Sequence, residues 1–295
     1  MKLMPKARNL SAVVVLAVFF SARSEASAQD LRWESFTGVS VNPLGLIQIG
    51  TFTASHELYE SENPLFASNF VDASAIVAST PAYSIVGAQL QLQPLSILRL
   101  RARIEGLGYF GNFDHVQSFE DLEVDFSDSA LARNEDHAAT VGMRFTGSAL
   151  LQAKFGKVAA RAHLQAATMT LDLATNKRVF YSPYFDHILE SGNWIYVSDA
   201  DLLWVEERVV VGIRHTAMVA QFSQDLAASD PNGPTHRVGP LIVWKVRDAE
   251  GETVDAMNLI FLANWYLVHT NRTGYDTPQW LPYLGVAFSF EGSFL

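Results

Sequence analysis

The feature that most constrains this chain is a period of two. From Ser84 to Gln93, Val86, Ala88, Leu90 and Leu92 alternate with Gly87, Gln89, Gln91 and Gln93. From Ile97 to Gly106, Leu98, Leu100, Ala102 and Ile104 alternate with Arg99, Arg101, Arg103 and Glu105. A helix brings together residues three and four apart and cannot sort such a pattern, whereas a strand with two unlike faces does. The same alternation sets Val141, Met143 and Phe145 against Gly142, Arg144 and Thr146, and Ala160, Ala162 and Leu164 against Arg161, His163 and Gln165. It returns at 209–217, at 242–247, at 258–266 and at 284–290. The pattern predicts about ten strands, with eight to twelve allowed: 44–58, 83–93, 97–110, 138–153, 158–172, 192–205, 208–223, 236–247, 254–270 and 281–291.

The connections sharpen the class. Tight turns are expected near Pro94-Leu95, Phe155-Gly156, Glu206-Glu207 and Asp248 to Thr253, and long polar links at 59–82, 111–137, 173–191, 224–235 and 271–280. That asymmetry, with an even strand count, predicts an all-β fold: a transmembrane antiparallel up-and-down β-barrel with short periplasmic turns and long extracellular loops. Tyr109, Tyr181, Tyr184, Trp194, Tyr196, Tyr266, Tyr275, Trp280 and Tyr283 fall near strand ends, where interfacial aromatic girdles belong.

The N-terminus supports export. Lys2, Lys6 and Arg8 precede a short apolar run from Val13 to Phe20, and Ala26-Ser27-Ala28 is a small-residue cleavage pattern. Residues 1–28 therefore read as a cleaved signal peptide and 29–295 as a single barrel domain. The run is shorter than the roughly 20 apolar residues of a spanning helix. The formal charge of −10 becomes about −13 once the leader is removed. Such a balance excludes nucleic acid as a partner, because phosphate binding needs a basic surface. The chain has no cysteine, which excludes thiol catalysis, cysteine-bound metal and a lipoprotein anchor.

The segment Tyr283-Leu-Gly-Val-Ala-Phe-Ser-Phe-Glu-Gly-Ser-Phe-Leu295, with Phe288, Phe290 and Phe294 in step, resembles the closing strand of Gram-negative outer-membrane barrels. It departs from them in ending on Leu295 rather than phenylalanine. The resemblance is at the level of the class and reaches no subfamily. It implies an outer-membrane location, contact with lipid and lipopolysaccharide, and recognition of the last strand by the barrel assembly machinery.

Two enzyme families share this architecture. Outer-membrane phospholipases carry a His-x-Ser pair, and none of the eight histidines here has serine two residues on. Omptin proteases use paired aspartates and an Asp-x-His pair at the extracellular rim. Asp199-x-Asp201 falls mid-strand, and Asp186-His187 has the wrong spacing. No phosphate-binding loop, zinc motif or serine-hydrolase elbow is present. The reading is of a barrel without catalytic residues, metal or cofactor. An outer-membrane protease or lipase and a soluble periplasmic ligand-binding barrel are the alternatives.

The chemistry lies on the polar face. Arg99, Arg101, Arg103, Arg144, Arg161, Arg214, Arg237, Lys245 and Arg247 are expected inside, with His163 and only Glu105, Asp199 and Asp201 as acids. They would line a narrow passage for small anionic or polar solutes, or form an ion network that fills a structural or surface-interaction barrel. A two-residue turn at Glu206-Glu207 pairs Val205 with Arg208 and predicts an Asp199–Arg214 contact. His215 falls on the outward face. The loop at 111–137 holds Asp114, Glu120, Asp121, Glu123, Asp125, Asp128, Glu135 and Asp136 against Arg133 alone, and reads as a solvated extracellular loop.

Overall fold

The computed structural model describes residues 30–112, 116–122, 133, 138–227, 233–248, 254–269, 272 and 280–294. The expected signal segment and most of the acidic loop lie outside them.

Twelve antiparallel strands close into a barrel. They are β1 (Asp30–Val41), β2 (Gly45–Glu57), β3 (Phe70–Ser79), β4 (Tyr83–Leu95), β5 (Leu98–Tyr109), β7 (Thr140–Phe155), β8 (Val158–Leu171), β11 (Trp194–Val205), β12 (Val209–Ala220), β13 (Thr235–Asp248), β14 (Ala256–Val268) and β15 (Tyr283–Ser293). Each strand pairs with its neighbour in chain order, and β1 closes the ring on β15 through Arg32–Val41 and Leu284–Ser293. A second, three-stranded sheet is built from loops: β6 (Ser118–Phe119), β9 (Val179–Ser182) and β10 (His187–Glu190), with a single helical turn, α1 (Gln224–Ala227).

The strand count corrects the expected ten. The two added strands are β1 and β3, and both lack contrast between their faces. The outward row of β1 is broken by Ser35 and Thr37, and both rows of β3 contain small residues: Ala73 and Ala75 outward, Ser74 and Ala78 inward. The expected long loop at 59–82 therefore contains β3. Of what remains, 59–69 lies at the end of the barrel where β1 begins and β15 ends, with the turns at 96–97, 156–157 and 206–208, and 80–82 lies at the opposite end. The long connections 110–139, 172–193, 221–234 and 269–282 all lie at the opposite end.

The outer wall is apolar. Val86, Leu90, Ile104, Val141, Leu202, Ile213, Trp244, Phe261 and Phe288 all project outward and are exposed. Strands of 10 to 16 residues are long enough to cross the apolar band, about 25 Å tall, of membrane barrels. Polar side chains interrupt the wall in places. Gln48 on β2 meets Ser35 and Thr37 of β1, and His215 stacks on His236 with ring centroids 5.4 Å apart. His215 is thus outward, as its parity requires, and a second imidazole partners it. Trp194, Tyr196, Trp265 and Trp280 stand outward near the loop end, and Trp204 and Trp244 near the turn end. Tyr109, Tyr181 and Tyr266 are instead buried inside, so they are core residues rather than part of a girdle. Tyr283 faces inward as well, and Tyr275 is outside the described residues.

The lumen is divided along its length. Toward the loop end, Tyr83, Ile85, Leu107, Tyr109, Met169, Leu171 and Ile195 of the wall pack against Val116, Phe180, Phe185 and Leu189 of the loops in one apolar core. The other face of the small sheet buries Val179, Tyr181 and Ile188 with Phe119, Leu122 and Leu226. The loops therefore fold into the barrel mouth as a plug. Toward the turn end the wall turns polar, with Ser55, Asp72, Gln89, Gln91 and Gln93 all buried.

Candidate functional site: a basic chamber beneath a plug

Strand pairing places β4 glutamines beside β5 arginines in successive rungs. Gln89 lies opposite Arg103 and Gln91 opposite Arg101. Arg103 donates Nε and Nη2 to Gln89 Oε1 at 3.2 and 2.8 Å, and Arg101 donates the same two groups to Gln91 Oε1 at 3.1 and 2.8 Å. Arg99 donates Nε to Gln93 Oε1 at 2.7 Å, and its guanidinium sits 5.4 Å from the Phe70 ring centre. A neutral amide oxygen fixes each guanidinium without neutralising it, and Arg103 also reaches Glu105 Oε1 through Nη1 at 3.5 Å.

The remaining inner cations are held differently. Arg144, opposite Glu105 across β5 and β7, donates Nε to Glu105 Oε2 at 2.7 Å; both side chains are 2% exposed. Asp201 bridges Arg161 and Arg214, accepting Arg161 Nη2 at 2.8 Å and Arg214 Nε at 2.7 Å. The expected Asp199–Arg214 contact is replaced by this one. The turn after β11 is longer by two residues, with Glu206 N donating to Val209 O, so Val205 pairs with Val210 rather than Arg208. A slip of two keeps the face and moves the partner. Asp199 instead accepts Thr216 Oγ1 at 2.5 Å and stands opposite His163.

Arg237 lies with its guanidinium 4.6 Å from the Tyr283 ring centre, and Lys245 is half-buried opposite Asn258. Arg247 is placed differently from the other inner cations. A register shift between Lys245 and Arg247 sets it opposite Met257, and it is exposed at the strand end.

Asp72 is an inner acid that the sequence pattern concealed inside a supposed loop. It accepts Ser55 Oγ at 2.5 Å and Gln91 Nε2 at 3.0 Å, and so ties the glutamine row to β2 and β3.

Arg101, Arg103, Arg144, Thr146, Ser148, His163, Gln165 and Tyr184 enclose a cavity of about 190 Å³. Tyr184 reaches it from the plug, at the tip of the β9–β10 hairpin, and lays its ring 4.0 Å from the Arg144 guanidinium carbon. The larger concavity, about 610 Å³, is on the outer wall between Phe145, Leu164, Trp194, Tyr196 and Val219, and is almost wholly apolar.

A buried carboxylate anchors the same hairpin. Asp186, held at a φ of +52°, accepts Arg272 Nη2 at 2.8 Å, Tyr181 OH at 2.6 Å and Tyr266 OH at 3.0 Å. His269 Nε2 lies 2.9 Å from the Asp186 carbonyl oxygen. Burial pushes the Asp186 carboxyl up, but Arg272 outweighs it and holds the group below the ordinary carboxylate range. Burial also holds His269 below its usual value, against the pull of Asp186. A second tie joins Arg178 Nη2 to Glu190 at 3.0 Å and Ser223 N to the same carboxylate at 2.7 Å. Asp186 and His187 are thus interior plug residues, neither at a solvent rim.

Among the described residues no group of three or more histidines and acids is placed to hold a metal ion. Of the acidic loop, Glu120 and Asp121 are exposed, and Asp114, Glu123, Asp125, Asp128, Glu135 and Asp136 lie outside the described residues.

No protein-family model and no curated protein matches the chain. Solved structures similar to it are barrels. The translocator domain of the autotransporter NalP from Neisseria meningitidis is 9% identical, with a TM-score of 0.40 over 92% of this chain and 89% of that one. The outer membrane channel DcaP of Acinetobacter baumannii is 10% identical, with a TM-score of 0.35 over 85% and 64%. The outer membrane protein OprD from Pseudomonas aeruginosa is 7% identical, with a TM-score of 0.30 over 92% and 95%.

Proposed function

We propose that the protein spans the bacterial outer membrane as a conduit that prefers small anions and is held shut at its loop end by the folded plug. The observation that carries this reading is the glutamine–arginine row. A barrel that needed arginines only as filler would match them with carboxylates, as Asp201 does for Arg161 and Arg214. Arg99 and Arg101 instead rest on neutral amides, and Arg103 has only Glu105 at 3.5 Å. Uncompensated cations facing a lumen select anions. In this reading lipid and lipopolysaccharide surround the outer wall, the assembly machinery engages β15, and the termini face the periplasm after signal cleavage.

A structural barrel is the second reading, favoured by the filled Asp201 and Glu105 clusters. Planar-bilayer conductance separates the two. The refolded barrel should pass little current, and a variant with 177–191 replaced by a short Gly/Ser link should show conductance steps. Silence from both would leave the structural barrel.

A further inference from the structure

We propose that the chamber beneath the plug is a binding site for a compact oxyanion, and that its occupation competes with Tyr184 for Arg144. This rests on the anion-conduit reading and adds to it a defined site and a coupling to the plug.

The charge at the chamber fits such a ligand. Arg101, Arg103 and Arg144 supply three guanidiniums, and the one carboxylate bonded among them is Glu105. Glu34, inward on β1, also acts on Arg101 and Arg103, and the chamber keeps a net positive charge. The two β5 arginines turn the same edge away from their glutamines, and on Arg103 that edge is shared with Glu105 Oε1 at 3.5 Å. Gln89 and Gln91 take Nε and Nη2 of each, which leaves the Nη1 edge turned away from the amide. A guanidinium edge is a two-point donor suited to carboxylate or phosphate oxygens. The cavity, about 190 Å³, suits an ion of phosphate or small dicarboxylate size and is too small for an ordinary drug-sized ligand. Thr146 and Ser148 add hydroxyl groups to the same wall.

A second observation points to an unfilled role. Arg144 is 2% exposed, and its Nη1 has no hydrogen-bond partner. Leaving a charged donor unsatisfied in a buried place is costly. What covers it is the Tyr184 ring, which offers only a π face. An oxyanion in the chamber would give Nη1 the acceptor it lacks, and the ring would have to move for it to do so. Tyr184 lies two residues from Asp186, so its displacement strains the hairpin at the anchor that seats the plug. Binding and plug seating are then linked and oppose one another.

The test uses the refolded full barrel in detergent, with inorganic phosphate as the probe, titrated by calorimetry at fixed ionic strength. One phosphate should bind per barrel. Arg101→Gln should weaken binding about tenfold or more, the scale of one charge-assisted hydrogen bond. Tyr184→Ala should tighten binding, because the competitor is gone, and phosphate should speed hydrogen exchange over 179–190 in the wild type alone. No saturable binding to either wild type or Tyr184→Ala overturns the site. Binding that ignores Arg101→Gln also overturns it. Unchanged or weaker affinity in Tyr184→Ala overturns the competition. If the plug-replaced barrel passes anions but no form saturates with phosphate, the conduit stands and the site falls. If phosphate binds but the plug-replaced barrel passes no current, the conduit falls and the site becomes one within a closed scaffold.

Discussion

The two halves of the lumen solve one problem in opposite ways. Both must fill or wet the inside of a twelve-stranded ring. The loop-end half fills it with apolar side chains, Phe180, Phe185 and Leu189 against Tyr83, Leu107 and Ile195, and pins them with the buried carboxylates of Asp186 and Glu190. The turn-end half uses long polar side chains, whose amides and guanidiniums hold one another in rows. The first is held largely by burial, which is non-directional, so its boundary is set by the few polar anchors. The second is held by directional bonds, so changing one residue there alters charge before it alters shape. In the proposed conduit, stability is therefore concentrated at the plug and selectivity at the arginine row.

That division can be broken from either side. The largest expected effect is at Asp186. Asp186→Ala removes the carboxylate on which Arg272, Tyr181 and Tyr266 converge, and should cost the plug about 3 kcal/mol or more. Hydrogen exchange should accelerate over 179–190 and leave the β4 and β5 amides unchanged.

The same anchor predicts a pH response. The folded Asp186 pKa is depressed, so its stabilisation is complete above the ordinary carboxylate value near 4 and is lost only as pH falls through the lower folded value. Asp186 alone predicts protease protection of the plug loops that persists at pH 5 and fails in stronger acid, while His269, also depressed, adds a loss that begins as pH falls below its ordinary value of about 6.5. Loss of protection at pH 5 that persists in His269→Gln would mean that another group anchors the plug.

Next in size is Asp201→Asn. It leaves Arg161 and Arg214 facing each other without their shared anion. Both arginines are partly exposed, so solvent discounts the loss to about 1–2 kcal/mol. The melting temperature in detergent should fall while exchange in the plug stays as it was. The smallest effect is at Arg247, exposed beyond the register shift. Arg247→Gln should change stability by no more than about 0.5 kcal/mol and leave ion preference untouched.

The same contrast explains what the amino-acid pattern revealed. Strands whose two faces differ sharply, such as β4 and β5, were legible because lipid and lumen demand opposite chemistry. β1 and β3 were not, since Ser35, Thr37 and the alanines of β3 blur that demand. The inward arginines followed from parity alone. Their partners did not, because partner choice depends on turn length, and two added turn residues moved Arg214 from Asp199 to Asp201. The plug left the weakest trace. Val179, Phe180, Ile188 and Leu189 form runs too short to separate from loop, and Arg272 and Asp186 lie 86 positions apart in the chain.

The claim that joins the halves is that an apolar plug closes a basic passage. Its most direct test is the reversal potential of the Asp186→Ala barrel in a planar bilayer under a tenfold potassium chloride gradient. The account predicts open steps more frequent than in the wild type and a reversal potential displaced toward that of chloride. That displacement should shrink when Arg101 and Arg103 are both changed to glutamine. A reversal potential at zero or displaced toward potassium would contradict it.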